Sequence, residues 1–394
     1  MEAAIVTQVL GLLLIAFITG MLVRRLFVPY TVALLIAGIG VGFTGLFSGV
    51  ALTSDTILLV FLPALLFQGA INLELQTLRQ AMLPIVLLAI VGVALSIAII
   101  AGLFAAGLGT GVLVAIVLGA MLSATDPISV LAVFKQLGVP KRLEMVVEGE
   151  SLFNDGTALV AFQLAVAASA AGHAEPLAAV GQFAVVVAGG LLLGAAAGFA
   201  FSHLLSLTED HLFEMGFSTI LAYGTYVVAD AIHVSPVIAV VTAGIVLGNY
   251  GRKVGLSDRA RVVVVDIWEY LAFIANSVIF LLIGQAVHRL DYRAYLLPSL
   301  LAVVLVLVSR AVVIYGLAPV VSKLERHVPF AWRHIAFWGG LRGALAIAMA
   351  LSLPEGFPQR DMLVAATFSV VLFTVLVQGI SMEHLVRWLK VRES

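Results

Sequence analysis

Residues 80 to 125 contain no Asp, Glu, Lys or Arg, and neither do 3–23, 26–54 and 176–208. Each run reaches or exceeds the roughly 20 residues that carry an α-helix across the hydrocarbon core of a bilayer. In lipid every backbone N–H and C=O needs an internal partner, which leaves helices and closed barrels as the only spanning structures. A barrel would read as segments of about ten residues with alternating polarity. These runs are apolar without alternation, so the chain reads as an all-α polytopic membrane protein whose first partner is the lipid bilayer. The composition agrees: 62% of residues are hydrophobic and 11% charged, whereas soluble chains are roughly a quarter charged. The absence of cysteine excludes disulfides, thiolate chemistry and Cys-ligated zinc. A net charge of −1 gives no electrostatic footprint for nucleic acid. The first run has no cationic leader or small-residue cleavage site and reads as a spanning helix, not a removed signal.

The hydropathy pattern predicts about 13 spans, at roughly 3–23, 28–43, 55–73, 81–107, 110–134, 143–171, 177–207, 212–231, 234–250, 262–287, 294–321, 331–352 and 362–388. Of the 21 Lys and Arg residues, 16 lie after odd-numbered spans or in the tail, including Arg24, Arg25, Arg326 and Arg392. Only Arg289, Arg293 and Arg360 follow even-numbered spans, and Arg310 and Arg342 lie inside spans. Basic residues favour the cytoplasmic side. The expectation is a multi-pass protein of the cell inner membrane, with the N-terminus outside and the C-terminus cytoplasmic. The tail ends shortly after the last span, so no regulatory domain is expected in this chain.

An internal repeat constrains the architecture further. "VPYTVALLIAGIGVG" (28–42) and "VSPVIAVVTAGIVLG" (234–248) match at six of fifteen positions without gaps, among them Gly38/Gly244 and Gly42/Gly248. The segments are seven spans apart, so they cross the membrane in opposite directions. Inverted repeats of this kind mark secondary transporters, whose substrate sites lie near the midplane at broken helices. Counting on from each copy pairs the span of Thr125-Asp126-Pro127 with that of "FWGGLRGALAIAMAL", where Gly339, Gly340 and Gly343 surround Arg342. Pro127 removes one helical N–H and crowds the preceding turn. Backbone freed in this way is tolerated at membrane depth only inside protein or beside a watery cavity. Two broken helices meeting in the core are the expected result.

A second polar cluster is "VVEGESLFNDGTALVAFQLAV" (146–166), which places Glu148, Glu150, Ser151, Asn154 and Asp155 before an apolar run. Ser151 and Asp155 are i, i+4 neighbours, as are Glu150 and Asn154, so one helix face is polar. Acids within a span face the bundle interior and pair with cations. Glu150 is the expected partner of Arg342. Arg310, in "VLVLVSRAVVIYG", either finds a partner or reaches the interface by snorkelling.

Together these segments resemble the monovalent cation:proton antiporter-1 family, the sodium/proton exchangers, over the whole chain. The residues that carry the resemblance are "SATDPISVLAVFKQLGVPKRL", "VEGESLFNDGTALVAF", "NSVIFLLIG" (276–284) and "GGLRGALAIAMAL". The resemblance implies a homodimer built from scaffold helices in 1–75 and 209–290. It implies a mobile core from 76–172 and 291–394, with a linking helix in 173–208. It places the Na⁺ site at Asp155, with Ser151, Thr125 and Asp126 as further ligands, and counts Asn154 with them among the ion- and proton-binding residues. It pairs Glu150 with Arg342, and it associates Asn154 before the aspartate with electroneutral exchange. The chain departs from the family pattern at Gln68, in "PALLFQGAIN", where many members carry Glu. The site therefore has one negative charge fewer, and Gln68 and Arg310 are the expected modulators of ion preference and working pH.

The expected mechanism is exchange of Na⁺ or Li⁺ for H⁺ by alternating access, with Asp155 holding one cation or the other. Asp126, Glu150 and Asp155 bring three negative charges, and Arg310 and Arg342 two positive. An empty core is then −1 and costly to move through lipid, whereas a core loaded with one monovalent cation is neutral. That count favours 1:1 exchange. No cofactor is required beyond the transported ions. The alternatives are K⁺/H⁺ exchange on the same scaffold, a cation channel, or an intramembrane aspartyl protease. The last lacks the Gly-x-Gly-Asp context, and no Gly-x-Ser-x-Gly marks a serine hydrolase.

Overall fold

The computed structural model describes the chain except residues 1, 24–27, 46, 48–51, 174, 290–292, 325–327 and 392–394, with only the backbone of 2–6 and 289. Arg24, Arg25, Arg326 and Arg392, used in the charge asymmetry, lie outside the described residues.

Among the described residues the structure is helical throughout, with no strand. The main helices are α1 (Glu2–Val23), α2 (Tyr30–Thr44), α3 (Thr56–Asn72), α4 (Met82–Leu108), α5 (Val112–Met121), α6 (Ile128–Leu137), α7 (Lys141–Ala171), α8 (Pro176–Leu205), α9 (His211–Ala231), α10 (Pro236–Val254), α11 (Asp258–Ala286), α12 (Leu296–Leu324), α13 (Phe330–Trp338), α14 (Ala344–Leu351) and α15 (Arg360–Trp388), with a short helix Leu75–Gln80 between α3 and α4. Eight of them are long and apolar enough to cross a bilayer: α4, α7, α8, α9, α10, α11, α12 and α15. Shorter apolar helices accompany them. The predicted spans 110–134 and 331–352 are each interrupted, giving the pairs α5/α6 and α13/α14.

Local chemistry sets several boundaries. Ser235, Ser257 and Asp210 cap the starts of α10, α11 and α9 by accepting from Ile238, Ala260 and Leu212 N–H. Gly138 closes α6 in the left-handed conformation (φ 65°), as a glycine does without penalty. Widened π turns occur within α3, α4, α10 and α15. In α4 the turn at Leu87–Gly92 is tied to α7, where Thr157 Oγ1 donates to the Ala89 carbonyl at 2.6 Å.

Packing groups the helices into two sets. In one set, α2 lies along α11, α8 along α10, and α3 against both α10 and α11. In the other, α4 packs on α5 and α12, α12 on α15, and α5 on α7. The repeat found in the sequence has a direct structural meaning. Gly38 and Gly42 of α2 meet the backbone of Leu281 and Gln285 on α11. Their matches in α10, Gly244 and Gly248, meet α3 at Phe67 and Ala70 and at Ile71. The two copies perform the same task, a close helix crossing that any side chain would widen. A Cβ at Gly42 would lie 2.9 Å from Gln285 O. Gly42→Val is therefore expected to destabilise the protein by about 1–3 kcal/mol through overpacking, read as a lower melting temperature in detergent.

Candidate functional site

The two helix interruptions touch each other. Residues 122–127 and 339–343 are non-helical, and the Asp126 N–H donates to Leu341 O at 2.8 Å. Pro127 begins α6, and its carbonyl accepts from Leu131 N–H at 2.7 Å. The proline thus stops one half-helix and starts the next.

Charge placement at this crossing follows the helix dipoles. The Asp126 carboxylate accepts from Ile128 N–H at 3.1 Å, at the N-terminal end of α6. It also lies directly over Gly343, at the N-terminal end of α14, where an added Cβ would fall 2.6 Å from its Cγ. Two positive helix ends therefore face one carboxylate. Arg342, 1% exposed, does the converse. Its guanidinium donates to Ser123 O and Ala124 O at 2.7 Å each, past the C-terminal end of α5. Carbonyls that lost their helical donors recover one, and the negative end of α5 meets a cation. The Arg342 backbone N–H in turn donates to Thr374 Oγ1 at 3.1 Å, in the π turn of α15.

Helix α7 runs unbroken past the crossing and braces it. Ser151 Oγ donates to Thr125 O. Asn154 Oδ1 accepts from Thr125 N–H at 3.2 Å, while its Nδ2 donates to Thr125 Oγ1 at 2.7 Å. One amide thus satisfies both a freed backbone donor and a hydroxyl. Asp155 projects beside them into a cavity of about 100 Å³. Thr125, Asp126, Ser151 and Asp155 line one wall, and Gln68 of α3 and Asn276 of α11 line the other. Among the described residues Asp155 has no hydrogen-bond partner, unlike Ser151 and Asn154.

One expectation needs correction, and the alternatives for Arg310 are decided. Glu150, 2% exposed, does not pair with Arg342. It accepts from both terminal nitrogens of Arg310, in contact with NH1 and at 3.0 Å from NH2. Of the two alternatives for Arg310, a partner or a snorkelling route, the partner is the one found. Arg310 is 6% exposed and also donates to Ala336 O at 2.9 and 3.2 Å. The reason is geometric: the crossing supplies Arg342 with two bare carbonyls, and α12 carries Arg310 up to the back of α7. Asn154, expected among the ion-binding residues, has its amide bonded to Thr125 on both sides and braces the crossing.

Two cavity residues escaped the sequence reading of the site. Glu148 lies on the same helix as Asp155, and Asn276 opens the "NSVIFLLIG" segment. The signal for Asn276 was there, a lone amide within an apolar span. Among the described residues no group of three or more His, Cys, Asp or Glu is arranged to hold a metal ion.

Known proteins resemble this chain in sequence and in fold. The family described as sodium/hydrogen exchanger, transmembrane, matches residues 13–388. The chain is 39% identical to the Na⁺/H⁺ antiporter ApNhaP of Aphanothece halophytica over 365 residues, covering 91% of this chain and 69% of that protein. It is 36% identical to the Na⁺/H⁺ antiporter NhaH of Halobacillus dabanensis over 396 residues, covering 96% of both. Its fold matches the sodium proton antiporter MjNhaP1 of Methanocaldococcus jannaschii at pH 8, with a TM-score of 0.78 at 19% identity, over 98% of this chain and 99% of that one. With the matched family spanning both broken helices and the helix that braces them, this chain belongs to the transmembrane sodium/hydrogen exchangers.

Proposed function

We propose that the chain exchanges Na⁺, or Li⁺, for H⁺ across the cytoplasmic membrane with 1:1 stoichiometry, and that Asp155 binds the cation and the proton in turn. The observation that carries this reading is the division of charge at the crossing. Glu150 is neutralised by Arg310. Asp126 and Arg342 are each held by the helix ends they face. Of the two aspartates that line the cavity, Asp155 is the one without a hydrogen-bond partner among the described residues. Among the five groups Asp126, Glu150, Asp155, Arg310 and Arg342, the negative charge left over thus falls on this side chain. Empty, the core carries that charge; loaded with Na⁺ or H⁺ it is neutral. Ser151 and Thr125 offer the cation hydroxyl oxygens, and Asp126 offers a second carboxylate on the same wall of the cavity.

Transport follows by alternating access. The helices of 76–172 and 291–394 move as the core against the scaffold of 1–75 and 209–290, with 173–208 linking them. The scaffold pairs with a second copy in a homodimer, the N-terminus lies outside and the C-terminus in the cytoplasm. The grouping of helices and the cavity between the two sets support this division.

The test is proton flux in proteoliposomes under imposed Na⁺, Li⁺ and K⁺ gradients. Na⁺- or Li⁺-driven flux is the expected result. Flux with K⁺ alone would reassign the cargo, and single-channel currents would replace exchange by conduction. Because H⁺ and Na⁺ compete for one carboxylate, the Na⁺ concentration giving half-maximal flux is also expected to rise as pH falls, read from saturation curves at several pH values. A half-saturation point independent of pH would refute competition at a shared site.

A further inference from the structure

The cavity's two walls differ in kind. The wall from α5–α7 carries the carboxylates and hydroxyls. The facing wall, from α3 and α11, is apolar except for two neutral amides, Gln68 and Asn276. Asn276 stands apart in its bonding. It is 9% exposed, its Oδ1 is buried, and that oxygen has no hydrogen-bond partner. Among the described residues no side-chain hydrogen bond of Asn276 to protein is present. The neighbouring Ser277, by contrast, is bonded to Tyr30 and to Phe273 O. A buried amide oxygen without a partner costs about 1–3 kcal/mol, so a structural role leaves Asn276 unexplained. Leucine would fill that position more cheaply.

The cavity's size supplies the missing partner. About 100 Å³ admits about three waters, each taking about 30 Å³. A cation entering it sheds part of its hydration shell, and oxygen atoms on the walls must replace what is lost. The Asn276 amide can turn over about its terminal torsion, which is broad and two-fold. Turned so, it presents a carbonyl oxygen to the cavity, opposite Asp155.

We propose that Asn276 is the scaffold-side ligand of the transported cation, directly or through one water, and that it favours a small, partly dehydrated alkali ion. The proposal rests on the exchange reading above and adds to it a ligand from the wall that does not carry the carboxylates. Because Asn276 belongs to α11, its contact exists only while the core faces it in this conformation. The cation then binds more tightly in this state than after the core has moved, whereas the proton on Asp155 needs no such contact.

The test uses the full chain in proteoliposomes, with Asn276→Leu and Asn276→Thr assayed against Na⁺ concentration at fixed pH. Losing one oxygen ligand to a cation is expected to raise half-saturating Na⁺ about tenfold in Asn276→Leu. The maximal rate should stay within about threefold, because Asp155 and the domain movement are untouched. Asn276→Thr, which keeps an oxygen, should fall between. Without Na⁺ the Leu variant should melt no lower than the parent, since no protein hydrogen bond is lost. An unchanged half-saturation point in folded variants overturns the proposal. So does a lower maximal rate with unchanged half-saturation, which would place Asn276 in domain movement. Should Asn276→Leu fail to fold, the Thr variant decides alone by the same criterion. Absence of Na⁺- or Li⁺-driven flux in the parent protein overturns the exchange reading itself, and this proposal with it.

Discussion

Asp155→Asn is expected to reduce Na⁺-driven proton flux to background while the purified protein still folds. Truncating one partner of a desolvated charge pair costs about 2–5 kcal/mol, and at the middle of that range the loss in cation affinity is at least about 100-fold. The amide also cannot take up and release a proton in the physiological range. The variant's core is neutral when empty, so it is free to move but carries nothing. Folding should survive because Asp155 makes no hydrogen bond to protein among the described residues, and asparagine has nearly the same shape. Proteoliposome flux and a thermal melt in detergent, run side by side, check both halves. Retained exchange would refute Asp155 as the shared site.

Arg310→Ala is the substitution with the largest expected effect on stability. It strands Glu150, a carboxylate 2% exposed, and removes the donor to Ala336 O. Removing one member of a buried ion pair costs about 3–5 kcal/mol, whereas replacing both members with apolar residues is often close to neutral. A thermal melt should therefore show a large loss for Arg310→Ala and substantial recovery in Arg310→Met/Glu150→Leu. Arg342→Ala provides the contrast. It leaves the Glu150–Arg310 pair intact and uncovers the Ser123 and Ala124 carbonyls, so its damage should be local to the crossing and should weaken transport. If Arg342→Ala lowered stability like Arg310→Ala and the double variant recovered nothing, the pairing described above would be wrong.

Much of the site was legible because the membrane makes polar residues rare and costly. Thr125-Asp126-Pro127 could be read as a helix break since proline removes a donor and the apolar pattern resumes at Ile128. Ser151 and Asp155 could be placed on one polar face by helical periodicity, and the family resemblance implied that this face meets the break. The glycines at 38, 42, 244 and 248 exposed the repeat because a close helix crossing admits no side chain. What the pattern could not supply was the partner of each buried arginine. Arg310 and Arg342 are equivalent in sequence terms, each a lone cation in a greasy span with Glu150 as an available acid. Which of them meets Glu150 depends on how α12 and the second broken helix are laid against α7.

The sequence alone therefore determined the solvent this chain folds in, the helical class, the places where helices must break and the acids that must be buried. All of these follow from local rules: the length of an apolar run, the chemistry of proline and the cost of charge in lipid. The tertiary structure decided what each buried group faces. It turned Asn154 into a brace, gave Arg342 to bare carbonyls and Arg310 to Glu150, and brought Asn276 from a distant helix to the cavity. Those outcomes depend on the relative placement of helices far apart in the chain, and hydropathy and periodicity carry no record of it.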